Sequence, residues 1–230
     1  KERQLGRTIV GRIAARLGML SAVGAAVALV ACGRIIPDIG FPGQRPTAPS
    51  VPESTDMRQC TATLASRGVD YRRLPDDYKG GQCRVVNSVQ LMDFGVPVYN
   101  IGPMTCTLAD RFTSWVMSDV ETAARRHYGA ALTGIDSMGT YSCRNIAGSG
   151  KISEHALANA VDVSGFRFSN GRRISVLSNW NGDDRDRAFL RDVADSACRH
   201  FGTVLTPEYN ADHRDHLHLD MASRRGAFCR

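Results

Sequence analysis

The sequence predicts an α+β domain with a small, mainly antiparallel sheet, flanking helices and disulfide crosslinks. Three observations point there. Strand-like and helix-like stretches do not alternate regularly, which disfavours a doubly wound parallel sheet. Two stretches, 108–128 and 185–201, carry apolar residues at three- and four-residue spacing, the mark of amphipathic helices. Six cysteines, Cys60, Cys83, Cys106, Cys143, Cys198 and Cys229, follow a segment that looks like an export signal.

That segment opens the chain. The 230 residues carry a net charge of +6, and Lys1, Arg3, Arg7, Arg12 and Arg16 supply much of it. The other basic residues are interleaved with acids, which reads as a solvated surface and argues against a nucleic-acid partner. Residues 17–31 are almost wholly apolar, short for a membrane span and suited to a signal-peptide core. They end in Leu29-Val30-Ala31-Cys32, which resembles a bacterial lipobox and implies lipid attachment at Cys32. Residues 33–56 hold five prolines and few large apolar side chains, so they are expected to form an extended, disordered tether. The expected organisation is a signal peptide with lipobox over 1–32, a linker over 33–56 and a folded domain over 57–230. Such a chain would be a periplasmic lipoprotein that meets the membrane through its N-terminal lipid.

Within the folded part, 57–104 is rich in turn signals and reads as short elements, with a strand at 83–86. The helix over 108–128 places Leu108, Phe112, Trp115, Val116, Val120 and Ala123 on one face and ends at Gly129, a plausible C-cap. Strands are expected over 133–142 and 159–166, the second with Asp162 opposite Val161 and Val163. Ser169-Asn170-Gly171 signals a turn, and 172–177 pairs back as a strand. The second helix buries Phe189, Leu190, Val193, Ala194, Ala197 and Phe201, and strands over 203–205 and 216–221 close the domain. No internal repeat and no glycine-rich phosphate loop is present.

With Cys32 assigned to lipid, the six remaining cysteines suggest three disulfides whose pairing spacing alone does not fix. Sequence neighbours give Cys60–Cys83 and Cys198–Cys229 as trial pairs. The absence of C-x-x-C argues against a zinc ribbon and against a thioredoxin-like redox centre.

The chemistry concentrates in two segments. Ser153-Glu-His-Ala-Leu-Ala-Asn-Ala-Val-Asp162 places His155 and Asp162 seven residues apart, and Asp215-His-Leu-His-Leu-Asp220 follows about fifty positions later. On a strand, His216 and His218 share a face. His155, Asp162 and His218 then form the two-imidazole, one-carboxylate set of a catalytic zinc site with one position left for water. Asp215 or His216 is the candidate base that takes the water's proton. Arg144 is the candidate grip for a substrate carboxylate, against the alternative of a local salt bridge. Ser153 lacks a Gly-x-Ser-x-Gly elbow and is read as orienting the loop. Asp220 reads as a surface acid, with the orienting of a ligand histidine as its alternative, His213 as a rim residue, and Trp115 and Trp180 as core, Trp180 with a groove-lining alternative. His127 and His200 need no more explanation than their places near helix ends.

These residues carry a resemblance. Over 57–230, Tyr141-Ser-Cys-Arg144, Ser153-Glu-His155, Ala160-Val-Asp162, Trp180, Cys198 and His213-Arg-Asp-His-Leu-His-Leu-Asp220 resemble the bacterial extensin-like C-terminal domain family. Through it they are similar to the LAS zinc metallopeptidases, which include D-Ala-D-Ala carboxypeptidases, and to sonic-hedgehog-like domains. The resemblance implies a LAS/hedgehog-like fold, Zn2+ held by His155, Asp162 and His218, and substrate binding by Arg144. It also implies hydrolysis of peptidoglycan peptide stems by a D,D-carboxypeptidase or endopeptidase. The alternative is a wall-binding lipoprotein that keeps the fold without turnover. One position departs from the LAS pattern: its glycine before Ala-x-Asp is Ala158 here.

Overall fold

A computed structural model describes residues 54–230, which belong to one compact unit. The expected leader with Cys32 and nearly all of the expected linker lie outside the described residues. The domain opens with helix α1 (Thr55–Ser66), capped by the Ser54 hydroxyl accepting from the Met57 N–H. This helix begins two residues before the expected domain start. The turn signals that dominate 57–104 hid it, although Met57, Thr61 and Leu64 are buried at helical spacing.

Two small sheets follow. Strands β1 (Asp70–Arg73), β4 (Ser88–Asp93) and β6 (Met104–Thr105) form one, in the order β1-β4-β6. The hairpin β2 (Asp77–Gly80) and β3 (Cys83–Val85) forms the other. The main sheet uses β5 (Val98–Tyr99), β7 (Leu132–Gly139), β8 (Ala160–Phe168), β10 (Thr203–Leu205), β11 (Leu217–Asp220) and β12 (Phe228–Cys229), ordered β12-β10-β11-β8-β7-β5. Strand β9 (Arg173–Ser175) also pairs with β8. The β5–β7 and β10–β12 pairs are parallel and the others antiparallel, so the fold is the expected α+β arrangement.

The long predicted helix is a continuous run of α2 (Cys106–Trp115), one π-helical turn over Val116–Val120, and α3 (Glu121–Tyr128). It ends where Gly129 takes φ 61°, a left-handed conformation that glycine adopts without steric cost. Past β9 lie α4 (Val176–Asn179) and α5 (Asp184–Ala197), the latter capped by Asp183 accepting from the Asp186 N–H. The apolar stripes of α2, α3 and α5 meet the inner face of the main sheet. Phe112, Trp115 and Val116 pack with Phe189, Leu190 and Val193, and against Val161, Val163, Leu217 and Leu219. Trp115 donates its indole N–H to Ser196 Oγ at 2.9 Å, which satisfies the one polar atom it brings into the core. Trp180 is core as well, with Arg191 stacked 3.8 Å from its ring centroid.

Three disulfides join distant parts: Cys60–Cys106, Cys83–Cys143 and Cys198–Cys229. The second trial pair is therefore correct and Cys60–Cys83 is not. Helix α1 docks on α2 and brings Cys60 to Cys106 with their Cα atoms 6.1 Å apart, inside bonding range, while Cys83 on the hairpin meets Cys143. Among the described residues, no helix is long and apolar enough to cross a membrane.

Phe189 is fully buried and its ring lies within 5.3 Å, centroid to centroid, of Tyr128, Phe166 and Phe168. Phe189→Ala is expected to lower the free energy of unfolding by about 3–5 kcal/mol, read from urea melts with the disulfides intact.

Candidate metal centre

Strands β8 and β11 pair antiparallel with His218 directly opposite Asp162, flanked by Leu217 opposite Val163 and Leu219 opposite Val161. Alternation sends the four aliphatic residues into the core and leaves Asp162 and His218 together on the other face. His218 Nδ1 lies 3.0 Å from Asp162 Oδ1.

The third member comes from a short turn. Ser153 caps a 3-10 turn over Glu154–Leu157, its hydroxyl accepting from the His155 N–H at 3.3 Å, which is the orienting role expected for it. His155 is buried, with Nε2 3.2 Å from Asp162 Oδ1 and 3.1 Å from His218 Nδ1. The turn closes on Ala158 at φ 53° and ψ 30°, a left-handed conformation that alanine occupies under strain.

The hydrogen bonds around the rings orient them. His155 Nδ1 donates to the Thr140 carbonyl oxygen at 3.1 Å, which can only accept, and Nε2 faces inward. His218 Nε2 donates to the Asp220 carboxylate at 3.0 Å, and Nδ1 faces Asp162, where it offers a lone pair once its own proton leaves. Two lone pairs and a carboxylate oxygen at 3.0–3.2 Å repel one another unless a cation or a shared proton bridges them. A tetrahedral zinc with bonds of about 2.0–2.1 Å sets its ligand atoms roughly 3.3 Å apart. The His155–Asp162–His218 set, whose donor atoms all lie within 4.8 Å of one another, fits that spacing and that chemistry.

Asp220 is a correction. It was expected at the surface, but it is buried and bonded to His218. The strand alternation that placed His216 and His218 on one face extends to residue 220 and could have revealed it. The Thr140 carbonyl that holds His155 has no side-chain signature at all.

At the edge of the cluster, His216 Nε2 lies 3.5 Å from Asp162 Oδ1, and its Nδ1 lies 2.9 Å from Asp215 Oδ1. The carboxylate accepts, so His216 carries its proton on Nδ1 and turns Nε2 toward the cluster. Asp215 lies behind His216, and the hydrogen bond from that ring holds its carboxyl below the usual range. His213 stands outside, its ring centroid 5.2 Å from that of His216, with Nδ1 2.7 Å from Asn210 Oδ1. Burial, then the nearby His216 and His218, push His213 down to about 4. Arg144 is exposed. Its carbonyl accepts from the Ser153 N–H at 3.2 Å, which ties the Arg144 segment to the His155 turn. It borders an open cleft of about 410 Å3 together with Gly80, Gly81, Gln82, Asn145 and Ile152.

Protons and a metal compete for this cluster. Burial disfavours the charged forms, but the hydrogen bonds outweigh it: those from His155 and His218 hold Asp162 well below the carboxylate range, and those to Asp162 and Asp220 raise His218 to about 9. Without metal, the folded state holds the His218 proton more tightly than the unfolded chain. Its stabilisation is complete below pH 6.5 and is lost as pH rises through about 9. Asp162 acts oppositely, contributing above pH 3.8 and losing that contribution as pH falls. Metal-free protein is expected to lose urea stability between pH 6.5 and about 9, with His218→Ala flattening the slope. Metal affinity, measured by chelator competition, is expected to rise over the same interval as the ligand proton leaves.

No curated protein and no solved structure matches the chain. The model of one family, described as the extensin-like protein C-terminus, matches residues 58–230. The chain therefore belongs to the extensin-like protein C-terminus family.

Proposed function

We propose that this protein is a zinc-dependent peptidoglycan peptidase, a D,D-carboxypeptidase or endopeptidase, with His155, Asp162 and His218 as its metal ligands. One observation carries the reading: two imidazoles, each oriented by an outer hydrogen bond, converge on a carboxylate, and a His216–Asp215 pair stands on the cluster's edge. Three protein ligands leave the fourth zinc position free, as catalytic rather than structural sites do. The resemblance of these ligands and of Arg144 to the LAS metallopeptidases supports the same assignment.

Zinc bound there would lower the pKa of a water and polarise a substrate carbonyl. The chain's own residues supply the rest. Thr140 and Asp220 keep the two ligand rings in register. His216 Nε2 takes the proton as the amide is attacked and returns it to the departing amine. Asp215 holds His216 in the right tautomer and stabilises its cationic form. Of the two candidate bases, His216 is therefore the better placed, and Asp215 supports it from behind. Arg144, whose side chain is exposed, grips a carboxylate of the peptide stem. Lipid attachment at Cys32 would hold the domain at the membrane, facing the periplasmic wall.

The full chain, reconstituted with one equivalent of zinc, is to be incubated with purified peptidoglycan and the products identified by mass. Release of stem-peptide fragments or terminal residues is expected, with His155→Ala losing both zinc and turnover. His216→Ala should keep the metal and lose kcat by on the order of 10²–10⁴-fold. Arg144→Ala should act mainly on KM. Zinc binding with no cleavage of any wall peptide would instead favour a wall-binding lipoprotein without turnover.

A further inference from the structure

The turn that delivers His155 does not hold its shape alone. Ala158 occupies the left-handed region, which L side chains seldom adopt, so surrounding contacts must enforce it. Inside the turn, the Ala158 N–H donates to the His155 carbonyl at 3.1 Å and the Asn159 N–H to the Glu154 carbonyl at 2.9 Å. Outside it, the Thr105 N–H donates to the Ala158 carbonyl at 2.8 Å. Thr105 Oγ1 donates to Asn159 Oδ1 at 2.9 Å, and Asn159 Nδ2 donates to Glu154 Oε2 at 2.7 Å. The Asn159 carbonyl accepts from the Met221 N–H at 3.1 Å, just beyond β11.

Each polar group plays one consistent part. The Thr105 hydroxyl accepts from the Leu108 N–H as the N-cap of α2, which leaves its proton for Asn159. The amide of Asn159 uses its oxygen toward Thr105 and its nitrogen toward Glu154. The anchor is firm: Thr105 precedes Cys106, which is disulfide-bonded to Cys60 and donates its N–H to the Asn87 carbonyl at 2.9 Å. Asn159, the first residue after the strained turn, thus joins the turn's own Glu154, the cap of α2 and the residue just beyond the strand that carries His218.

We propose that Asn159, anchored by Thr105, is a positioning residue that sets the His155 turn at the metal cluster without itself touching metal or substrate. The inference rests on the reading of that cluster as a metal site. Hydrogen-bonded supports of ligand residues typically account for roughly 10–100-fold in metal affinity.

The test uses the full chain and the variants Asn159→Leu, Thr105→Val and Thr105→Ser. Zinc affinity is measured by chelator competition, and the ligand field by the visible spectrum of the cobalt form. Amide exchange in the metal-free protein compares Ala158 and Asn159 with Val161 and Leu219. Asn159→Leu and Thr105→Val are expected to weaken zinc roughly 10–100-fold and to alter the cobalt spectrum, while Thr105→Ser, which keeps the hydroxyl, stays near the parent. Exchange at Ala158 and Asn159 should accelerate at least about tenfold with Val161 and Leu219 unchanged, the signature of local rather than global opening. Folded variants with parental affinity and spectrum would overturn the proposal, as would turn amides that stay protected. A parent chain that takes up no zinc would defeat the metal reading instead, and the exchange comparison would still decide the clamp. Should Asn159→Leu fail to fold, the Thr105 pair decides the question.

Discussion

Everything at the candidate centre depends on the pairing register of β8 and β11. Asp162 and His218 are cross-strand partners, so one ladder of backbone hydrogen bonds sets the distance between carboxylate and imidazole. A slip of one residue in either strand would send that strand's ligand to the opposite face and bring an aliphatic residue into its place. What forbids the slip is hydrophobic: Val161, Val163, Leu217 and Leu219 are fully buried in the core formed with α2 and α5. The polar site is held in place by the apolar face behind it.

The site combines this rigid pair with a ligand from a looser element. His155 arrives on a short turn whose last residue is strained, and strain of this kind persists only when the surroundings over-determine it. Here the surroundings are the α2 cap, the Thr140–Arg144 segment and the end of β11. A strand pair fixed by the core and a turn fixed by hydrogen bonds meet at one point. The geometry there is only as good as the weaker of the two.

Much of this was legible in the sequence, for identifiable reasons. Helical spacing from Leu108 to Tyr128 and from Arg185 to Phe201 is long and strongly periodic, so those elements were readable, as were β8, β10 and β11, although the second helix ends at Ala197, four residues short of Phe201. The glycine at 129 marked the helix end. Helix α1 was obscured because its buried face is thin, with Thr61 standing between Met57 and Leu64 on it. The π turn at Val116–Val120 does not interrupt the apolar spacing and so leaves no trace in it. The Cys60–Cys106 bond could not be read because it depends on how two helices dock, a tertiary fact. At the site, the donors His155, Asp162 and His218 stood out by residue type and spacing, while for Asp220 the surface reading outweighed the ligand-orienting alternative because an acid is more often exposed than buried. Asn159 and the Thr140 carbonyl had no such marker, since their importance lies in which atoms they reach.

The two ligand histidines are supported by different kinds of atom, and that difference bears on how the site can vary. His218 leans on a side chain, the Asp220 carboxylate, which a single base change can delete. His155 leans on the main-chain oxygen of residue 140, which every amino acid possesses. Sequence drift at 140 therefore leaves that support in place as long as the backbone keeps its path beside Gly139, whose φ of 115° few other residues adopt. Scanning mutagenesis at position 140 would understate the residue's part in the site, because the atom that matters there is not encoded by the codon.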